Sequence, residues 1–231
     1  MSQHNSEPLT TSEMLYQELK QDIIQGVYPS GEKIKLESIK TRYNVSYSPL
    51  REALSRLAES QLLINSGQRG FRVPAMTQAQ LDDITETRVR LECMALEMAI
   101  ERGDLEWESR IVAAYHLLSQ QEKKVYDAPI ASQEDIVQLD KVHEAFHQAL
   151  LSGAQSEWML FFVQSLNAQF DRYRRNNETF NYSQHTSVAY HRKLRDLALE
   201  RNTTEAVQAL EEHIRYSAKA IRYRDENEDA Q

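Results

Sequence analysis

Residues 44–57 read NVSYSPLREALSRL, and this stretch decides the fold predicted for the first part of the chain. Ser46 or Ser48 can cap a helix here, and Pro49 fits its first turn, where a missing N–H needs no partner. One face is apolar and consists of Leu50, Leu54 and Leu57. The opposite face is polar and carries Tyr47, Ser48, Arg51, Glu52 and Ser55. The spacing therefore predicts an amphipathic helix with one buried and one exposed side.

Two further helices are predicted before this one. The first can be capped by Thr11 or Ser12 and stops at Gly26. Its apolar stripe repeats every four residues and is formed by Leu15, Leu19 and Ile23. The second follows the turn-forming residues 28–31 and ends at Asn44. Its stripe is formed by Leu36, Ile39 and Tyr43.

A β-hairpin is predicted after the third helix. Residues 62–64 and 70–73 give two strands, and residues 65–69 form a basic tip that contains a glycine. Three helices followed by a hairpin form a winged helix-turn-helix, in which the third helix enters the major groove of DNA. Arg51 then points at the DNA. The alternative is a surface ion pair with its neighbour Glu52, which would matter little for stability.

Basic groups are concentrated in this part of the chain, although the formal net charge of the whole is −8. Residues 1–76 hold 9 Lys and Arg against 8 Asp and Glu, a net +1, whereas residues 77–231 hold 18 against 27, a net −9. Residues 33–72 hold 8 basic and 3 acidic groups, a net +5. That window can meet the phosphates of a nucleic acid, or it is an ordinary solvated surface.

The composition excludes several other classes of protein. The 231 residues are 41% hydrophobic and 27% charged, with only 6 Gly and 5 Pro, which favours a globular, mainly helical chain over a disordered one. A single cysteine, Cys93, cannot form an internal disulfide. The first residues show neither a basic start nor an apolar run, and no apolar stretch approaches the ~20 residues needed to cross a bilayer. We expect a cytoplasmic protein.

The second half of the chain is predicted to be almost entirely helical, and we expect an α-helical bundle domain. The predicted helices are 77–102, 106–124, 133–152, 156–176, 184–201 and 203–223. The fold class is therefore mainly α, with a winged helix-turn-helix and a small β-hairpin wing before an all-α bundle. The predicted parts are a disordered tail at 1–11, a DNA-binding domain at 12–74, the helical domain at 77–223 and an acidic tail at 224–231.

Four histidines in the helical part form a candidate metal site. His143 and His147 are four residues apart, so both lie on one face of a helix within reach of a shared metal. His191 and His213 belong to two later helices. By spacing alone these side chains are either hydrogen-bonded interior groups or metal ligands. Asp140 lies two turns before His147 and can orient a ligand.

The chain resembles a known family along nearly its whole length. The GntR-type winged helix is matched by Ile24-x-Gly26, Pro29-x-Gly31-x-Lys33, the stretch 44–57, and Gly70-Phe71-Arg72-Val73. The FCD ligand domain of the FadR subgroup is matched by Arg88-x-x-Leu91-Glu92, Phe146-His147, His191 and His213. A looser similarity to the carbon-starvation-induced repressor branch is seen in residues 99–103, 106–108 and 116–119. The resemblance implies a dimeric, ligand-responsive transcription regulator.

The resemblance also implies which residues contact DNA. The positions that match the DNA contacts of the family are Ser46, Tyr47, Arg51, Gln68, Arg69 and Gly70. Many members have Arg where Tyr47 stands, so one contact should be weaker or be replaced by the phenol. Arg51 can bond bidentately to guanine or hold a phosphate, and Arg69 suits the backbone or the minor groove.

In the FCD pattern, a divalent metal is held by three histidines and by an Asp four residues before the histidine of the Phe-His pair. His143 occupies the Asp position here, which implies either an all-imidazole site at His143, His147, His191 and His213 or loss of the metal. Imidazole ligands favour zinc or nickel. The metal would bind a small carboxylate together with Arg88 and with Arg172 or Arg174. For Arg172 and Arg174, charge balance in an acidic domain is an equal alternative.

Two functions follow as hypotheses. The first is a DNA-binding transcription regulator, a homodimer that represses a metabolic operon at a pseudo-palindromic operator and is released by a small organic acid. The second is a metal-dependent helical-bundle enzyme, because Glu144-x-x-His147 has the spacing of di-iron bundles. That chemistry needs a second such motif, and Val188 and Leu210 stand where its acidic residue would be. We therefore expect a regulator with no catalytic residues.

Overall fold

The computed structural model describes residues 10–128, 130–176 and 186–221, without the side chains of Gln68, Thr186 and Ser187. The predicted acidic tail at 224–231 and all but the last two residues of the tail at 1–11 lie outside the described residues. The chain forms two compact units. Among the described residues, the first unit comprises 10–78 and 168–176 and the second comprises the rest.

Three helices and a small hairpin begin the first unit. The helices are α1 (Thr11–Ile24), α2 (Leu36–Tyr43) and α3 (Tyr47–Glu59). Leu19, Leu50, Leu54 and Leu57 are fully buried, and they pack in one apolar core together with Ile23 and Ile39. The predicted stripes therefore form the core of this unit.

The helix starts differ in detail from the prediction. Thr10, rather than Thr11 or Ser12, precedes α1, and its Oγ1 accepts a hydrogen bond from the N–H of Glu13 at 3.1 Å. Of the two serines proposed for α3, Ser46 occupies the cap position, whereas Ser48 lies within the helix. Thr10 is thus a correction, whereas Ser46 is one of the two predicted caps, and both residues have the extended backbone that a cap requires.

The hairpin that follows is shorter than predicted. Strands β1 (Ile64–Asn65) and β2 (Phe71–Arg72) pair antiparallel, with Ile64 opposite Arg72. Leu62 and Leu63 are buried in the core instead of joining the strand, because the turn after α3 directs them inward. Gly67 and Gly70 have φ angles of +62° and +82°, so the tip depends on glycines that adopt positive φ without strain.

Six further helices lie in the described residues. They are α4 (Gln78–Arg102), α5 (Leu105–Tyr126), α6 (Gln133–Ser152), α7 (Glu157–Arg175), α8 (Thr186–Leu199) and α9 (Thr203–Ala220). All six predicted helices are present, with ends that differ by a few residues. None of the helices in the described residues combines the length and the apolar character needed to cross a membrane.

The core of the second unit is built around Trp107. This side chain is fully buried on α5, and its indole N–H donates to the carbonyl of Leu150 at 3.1 Å. Gly103 and Gly153 lie against the ring, and a Cβ at Gly153 would come within 2.9 Å of the indole nitrogen. The two glycines at the predicted helix breaks therefore also make room for a tryptophan.

Residues 168–176, which the sequence predicts to be part of the helical domain, pack in the first unit. Ala168 belongs to the core of the first unit. The side-chain amide of Gln169 donates to the carbonyl of Ser60 at 3.2 Å, and that of Asn176 donates to the carbonyl of Ile24 at 3.3 Å. The last part of α7 therefore completes the first unit through contacts with residues more than 100 positions away.

Candidate DNA-binding surface and histidine cluster

The predicted DNA contacts of the third helix lie on one exposed surface. Ser46, Tyr47 and Arg51 are all exposed at the start of α3. The opposite face of α3 is in the core, with Leu50, Leu54 and Leu57 completely inaccessible to solvent. The helix can therefore offer its polar face to a groove of DNA without any rearrangement of the core.

Tyr47 has two neighbours on α2 that the sequence did not reveal. Its phenol donates a hydrogen bond to the carboxylate of Glu37, and Nζ of Lys40 lies 4.7 Å from the centre of its ring. The bond to Glu37 raises the pKa of Tyr47, so the phenol stays protonated. The side chain of Tyr47 thus lies between the carboxylate of Glu37 and the ammonium group of Lys40.

The predicted contacts on the wing lie at the tip of the hairpin. Arg69 is exposed and ends a short 3₁₀ turn, Gly67–Arg69, that connects the strands. The N–H of Gly67 donates to Oδ1 of Asn65 at 3.0 Å, which closes the turn. The backbone of Gln68 is in this turn, while its side chain lies outside the described residues. The wing therefore presents a guanidinium on a tight, locally bonded loop.

The four histidines proposed as metal ligands meet in the second unit. His143 and His147 come from α6, His191 from α8 and His213 from α9. One ring nitrogen from each lies within 4.8 Å of those of the others. We call these four residues the histidine cluster. Such spacing suits simultaneous coordination of one ion, for which metal–nitrogen distances are about 2.0 to 2.1 Å.

Burial keeps two of these imidazoles neutral. It lowers the pKa of His191 to about 3. The pKa of His213 also falls well below its usual value, mainly through burial and further through electrostatic interaction with His191 and Arg88. Neutral imidazole is the form that donates a lone pair to a metal. At neutral pH His191 and His213 are therefore available as metal ligands.

The geometry of the buried nitrogens fits a metal. Nε2 of His191 and Nδ1 of His213 are buried, and neither has a hydrogen-bond partner within the part of the chain that the structure describes. A buried polar atom without a partner is costly, and native proteins rarely leave one unsatisfied. A divalent cation bound by the cluster would satisfy both nitrogens.

Sequence reasoning missed one residue of this site, Glu122. Its Oε1 lies 2.7 Å from Nδ1 of His191, and both side chains are almost completely buried. Burial raises the pKa of Glu122 to about 7. The sequence signal was a glutamate on the buried stripe of α5, where its companions are Ile111, Tyr115, Leu118 and Val125. The orienting role assigned to Asp140, which is buried on α6, stays a prediction.

Arg88 lies close enough to the histidine cluster for its charge to lower the pKa of His213. Its Nε donates to Oε1 of Glu92 at 2.8 Å, and both side chains are largely buried. The sequence suggested Arg88 as a partner for a carboxylate. The structure adds that part of its charge is already offset by a buried acid.

The two other arginines proposed for the effector have different surroundings. Arg172 donates to Oε1 of Gln169 and to the carbonyl of Pro74, both at 2.9 Å. Arg174 pairs with Asp171 at 2.9 Å. These contacts lie in the first unit. The effector-binding role of Arg172 and Arg174 stays a prediction.

Comparison with known proteins agrees with this two-part arrangement. Residues 11–73 match the family described as bacterial regulatory proteins, gntR family, and residues 83–216 match the FCD domain. The transcriptional regulator BphR of Paraburkholderia xenovorans is 35% identical over 91% of this chain and 84% of its own length. The transcriptional repressor GlaR of Escherichia coli is 33% identical over 86% of this chain and 90% of its own.

Solved structures share the fold. The structure of E. coli McbR/YncC has a TM-score of 0.77 at 18% identity and covers 93% of this chain and 98% of its own. The names of the relatives indicate transcription regulators rather than enzymes. The winged helix, the helical unit and these matches together show that the chain belongs to the GntR family of DNA-binding transcription regulators and carries an FCD domain.

Proposed function

We propose that this regulator is a homodimeric repressor of a metabolic operon and that a small carboxylic acid releases it from its operator. The observation that carries the proposal is the convergence of four imidazoles and Arg88 inside the helical unit of a DNA-binding chain. A transcription regulator needs no catalytic centre, so a buried set of metal ligands next to a cation is best explained as a sensor site.

The histidine cluster would hold a divalent metal, with zinc or nickel favoured by its nitrogen ligands. When bound, the metal supplies a concentrated positive charge that attracts a carboxylate oxygen. The chain provides the four ligands, and its helices exclude water from two of them, His191 and His213. A low local dielectric strengthens the attraction between the metal and an anionic ligand.

The charge of the second part of the chain supports a carboxylate as the effector. Residues 77–231 carry a net charge of −9, so a free anion is repelled at long range. An anion binds only where a local positive centre outweighs that field. Arg88 and the metal provide such a centre, although Glu92 offsets part of the arginine charge.

The DNA-binding unit supports a dimer on a pseudo-palindromic operator. Each chain offers one recognition helix, α3, and a dimer places two such helices in successive major grooves about one helical turn apart. Arg51 and Arg69 would provide a base or phosphate contact and a backbone contact, respectively. An effector lowers operator affinity if it binds more tightly to the conformation of the dimer in which the spacing of the two recognition helices does not fit the operator.

The test of this function is linkage between acid and operator. A thermal-shift screen of organic acids on zinc-loaded protein identifies an acid that binds. That acid should then weaken operator binding by about 1 to 3 kcal/mol, and operator DNA should weaken acid binding by the same factor. Arg88→Ala should bind the acid less tightly, whereas Arg110→Ala, which removes an exposed arginine on α5, should not.

Removal of Arg88 leaves Glu92 buried without its partner, so Arg88→Lys serves as a second variant that keeps the charge. We expect Arg88→Lys to retain part of the acid affinity. If operator DNA leaves the dissociation constant of every binding acid unchanged, the helical unit is no sensor. It would then serve only to dimerise the protein.

A further inference from the structure

The contact between Glu122 and His191 joins two buried groups in the second unit. Their relative side-chain exposures are 2% and 1%, and Oε1 and Nδ1 are 2.7 Å apart. His191 has only two ring nitrogens. Because Nδ1 faces the carboxylate, Nε2 is the nitrogen left to face the histidine cluster, and it is buried without a hydrogen-bond partner in the described residues.

The charges of the site require an anion near the histidines. Four neutral imidazoles do not offset the +2 charge of a divalent cation, and transfer of an uncompensated charge into a protein interior is strongly unfavourable. Glu92 is paired with Arg88, so its negative charge is already partly offset. Glu122 is a buried carboxylate in direct contact with a histidine of the cluster.

We propose that Glu122 is a positioning residue for the metal: its carboxylate accepts the Nδ1–H of His191, aims the Nε2 lone pair at the ion and offsets part of its charge. This inference rests on the proposed metal site. The carboxylate acts through the imidazole and does not touch the ion. Hydrogen-bonded carboxylates of this kind orient the ligand and raise its basicity, and their loss typically weakens metal binding about 10- to 100-fold.

A purely structural role for Glu122 would lower the stability of its variants and leave their affinity for zinc unchanged. The residue lies on a stripe of α5 whose other members are apolar, where a buried carboxylate costs desolvation energy. Loss of Glu122 would also leave Nδ1 of His191 buried without its acceptor, and removal of one partner of a buried pair is destabilising. In the metal-free protein, the melting temperature should therefore fall for Glu122→Leu and fall less for Glu122→Gln, which keeps an acceptor oxygen.

Two substitutions separate the charge from the hydrogen bond. Glu122→Gln keeps the shape and an acceptor oxygen but removes the charge, whereas Glu122→Leu removes the acceptor as well. The full-length protein is stripped with a chelator, and the dissociation constant of Zn²⁺ is measured by competition with a chromophoric chelator. We expect zinc binding about 10-fold weaker for Glu122→Gln and about 100-fold weaker for Glu122→Leu. Glu106→Gln makes the same chemical change at an exposed position of α5 and should bind zinc as the parent does.

The melting temperature of each metal-free variant is the second readout. Zinc binding that is weaker in both variants, and weaker for Glu122→Leu than for Glu122→Gln, supports the positioning role, and the metal-free melting temperatures show how much stability each variant loses for other reasons. If both Glu122 variants bind zinc as tightly as the parent, or if only their metal-free stability falls, Glu122 is structural and the metal site stands without it. A parent that binds no zinc overturns the metal site and this inference together.

Discussion

Free zinc at a concentration about 1,000 times its dissociation constant should raise the free energy of unfolding of the protein by about 4.1 kcal/mol. The reason is that the four ligands of the histidine cluster come from three helices, α6, α8 and α9, and meet only when the second unit is folded. A metal that binds the folded chain alone raises the free energy of unfolding with its concentration. Calorimetry of chelator-treated protein, with and without added zinc, measures this gain.

His191→Ala should remove most of the zinc-dependent shift, because it deletes one of four ligands and the partner of Glu122. The variant also loses buried contacts, so the shift between zinc-free and zinc-loaded protein is compared rather than the absolute melting temperature. His116→Ala is the matched control, since His116 is exposed on α5 and lies outside the cluster. Elemental analysis of protein made without an affinity tag gives the metal content. If neither parent nor variant holds metal after supplementation, the four histidines are structural or bind the effector directly.

Arg51→Ala should weaken specific operator binding by about 1 to 3 kcal/mol. Arg51 is exposed on the face of α3 that lies opposite the buried leucines. Its removal therefore takes away a DNA contact without opening a cavity. Fluorescence anisotropy with a selected operator, at one fixed salt concentration, measures the loss, and circular dichroism checks that the fold is intact.

The salt dependence of the same variant shows which kind of contact was lost. A base contact gives a larger loss on the operator than on random DNA, whereas a phosphate contact weakens both and lowers the salt slope by about one. Arg110→Ala, on an exposed part of α5, should bind the operator as the parent does. Unchanged operator affinity for Arg51→Ala would remove this arginine from the interface.

Only part of the candidate site could be predicted from the sequence. The spacing of His143 and His147 placed both on one helical face, and the family resemblance added His191 and His213. The contact between Glu122 and His191 was not predictable in this way, because 69 residues separate them and no periodicity links α5 to α8. The Glu37 contact of Tyr47 was missed for a similar reason, since it joins two helices.

The sequence by itself determined the helices, the hairpin and the polar face of α3, because these depend on local periodicity and turn chemistry. It also determined that the chain carries a winged helix followed by a helical domain. The tertiary structure alone decided that the end of α7 completes the first unit, that Arg172 bonds to the carbonyl of Pro74, and that Glu122 faces a histidine. The physical reason is that such contacts are set by how helices pack, and packing unites side chains that are distant along the chain.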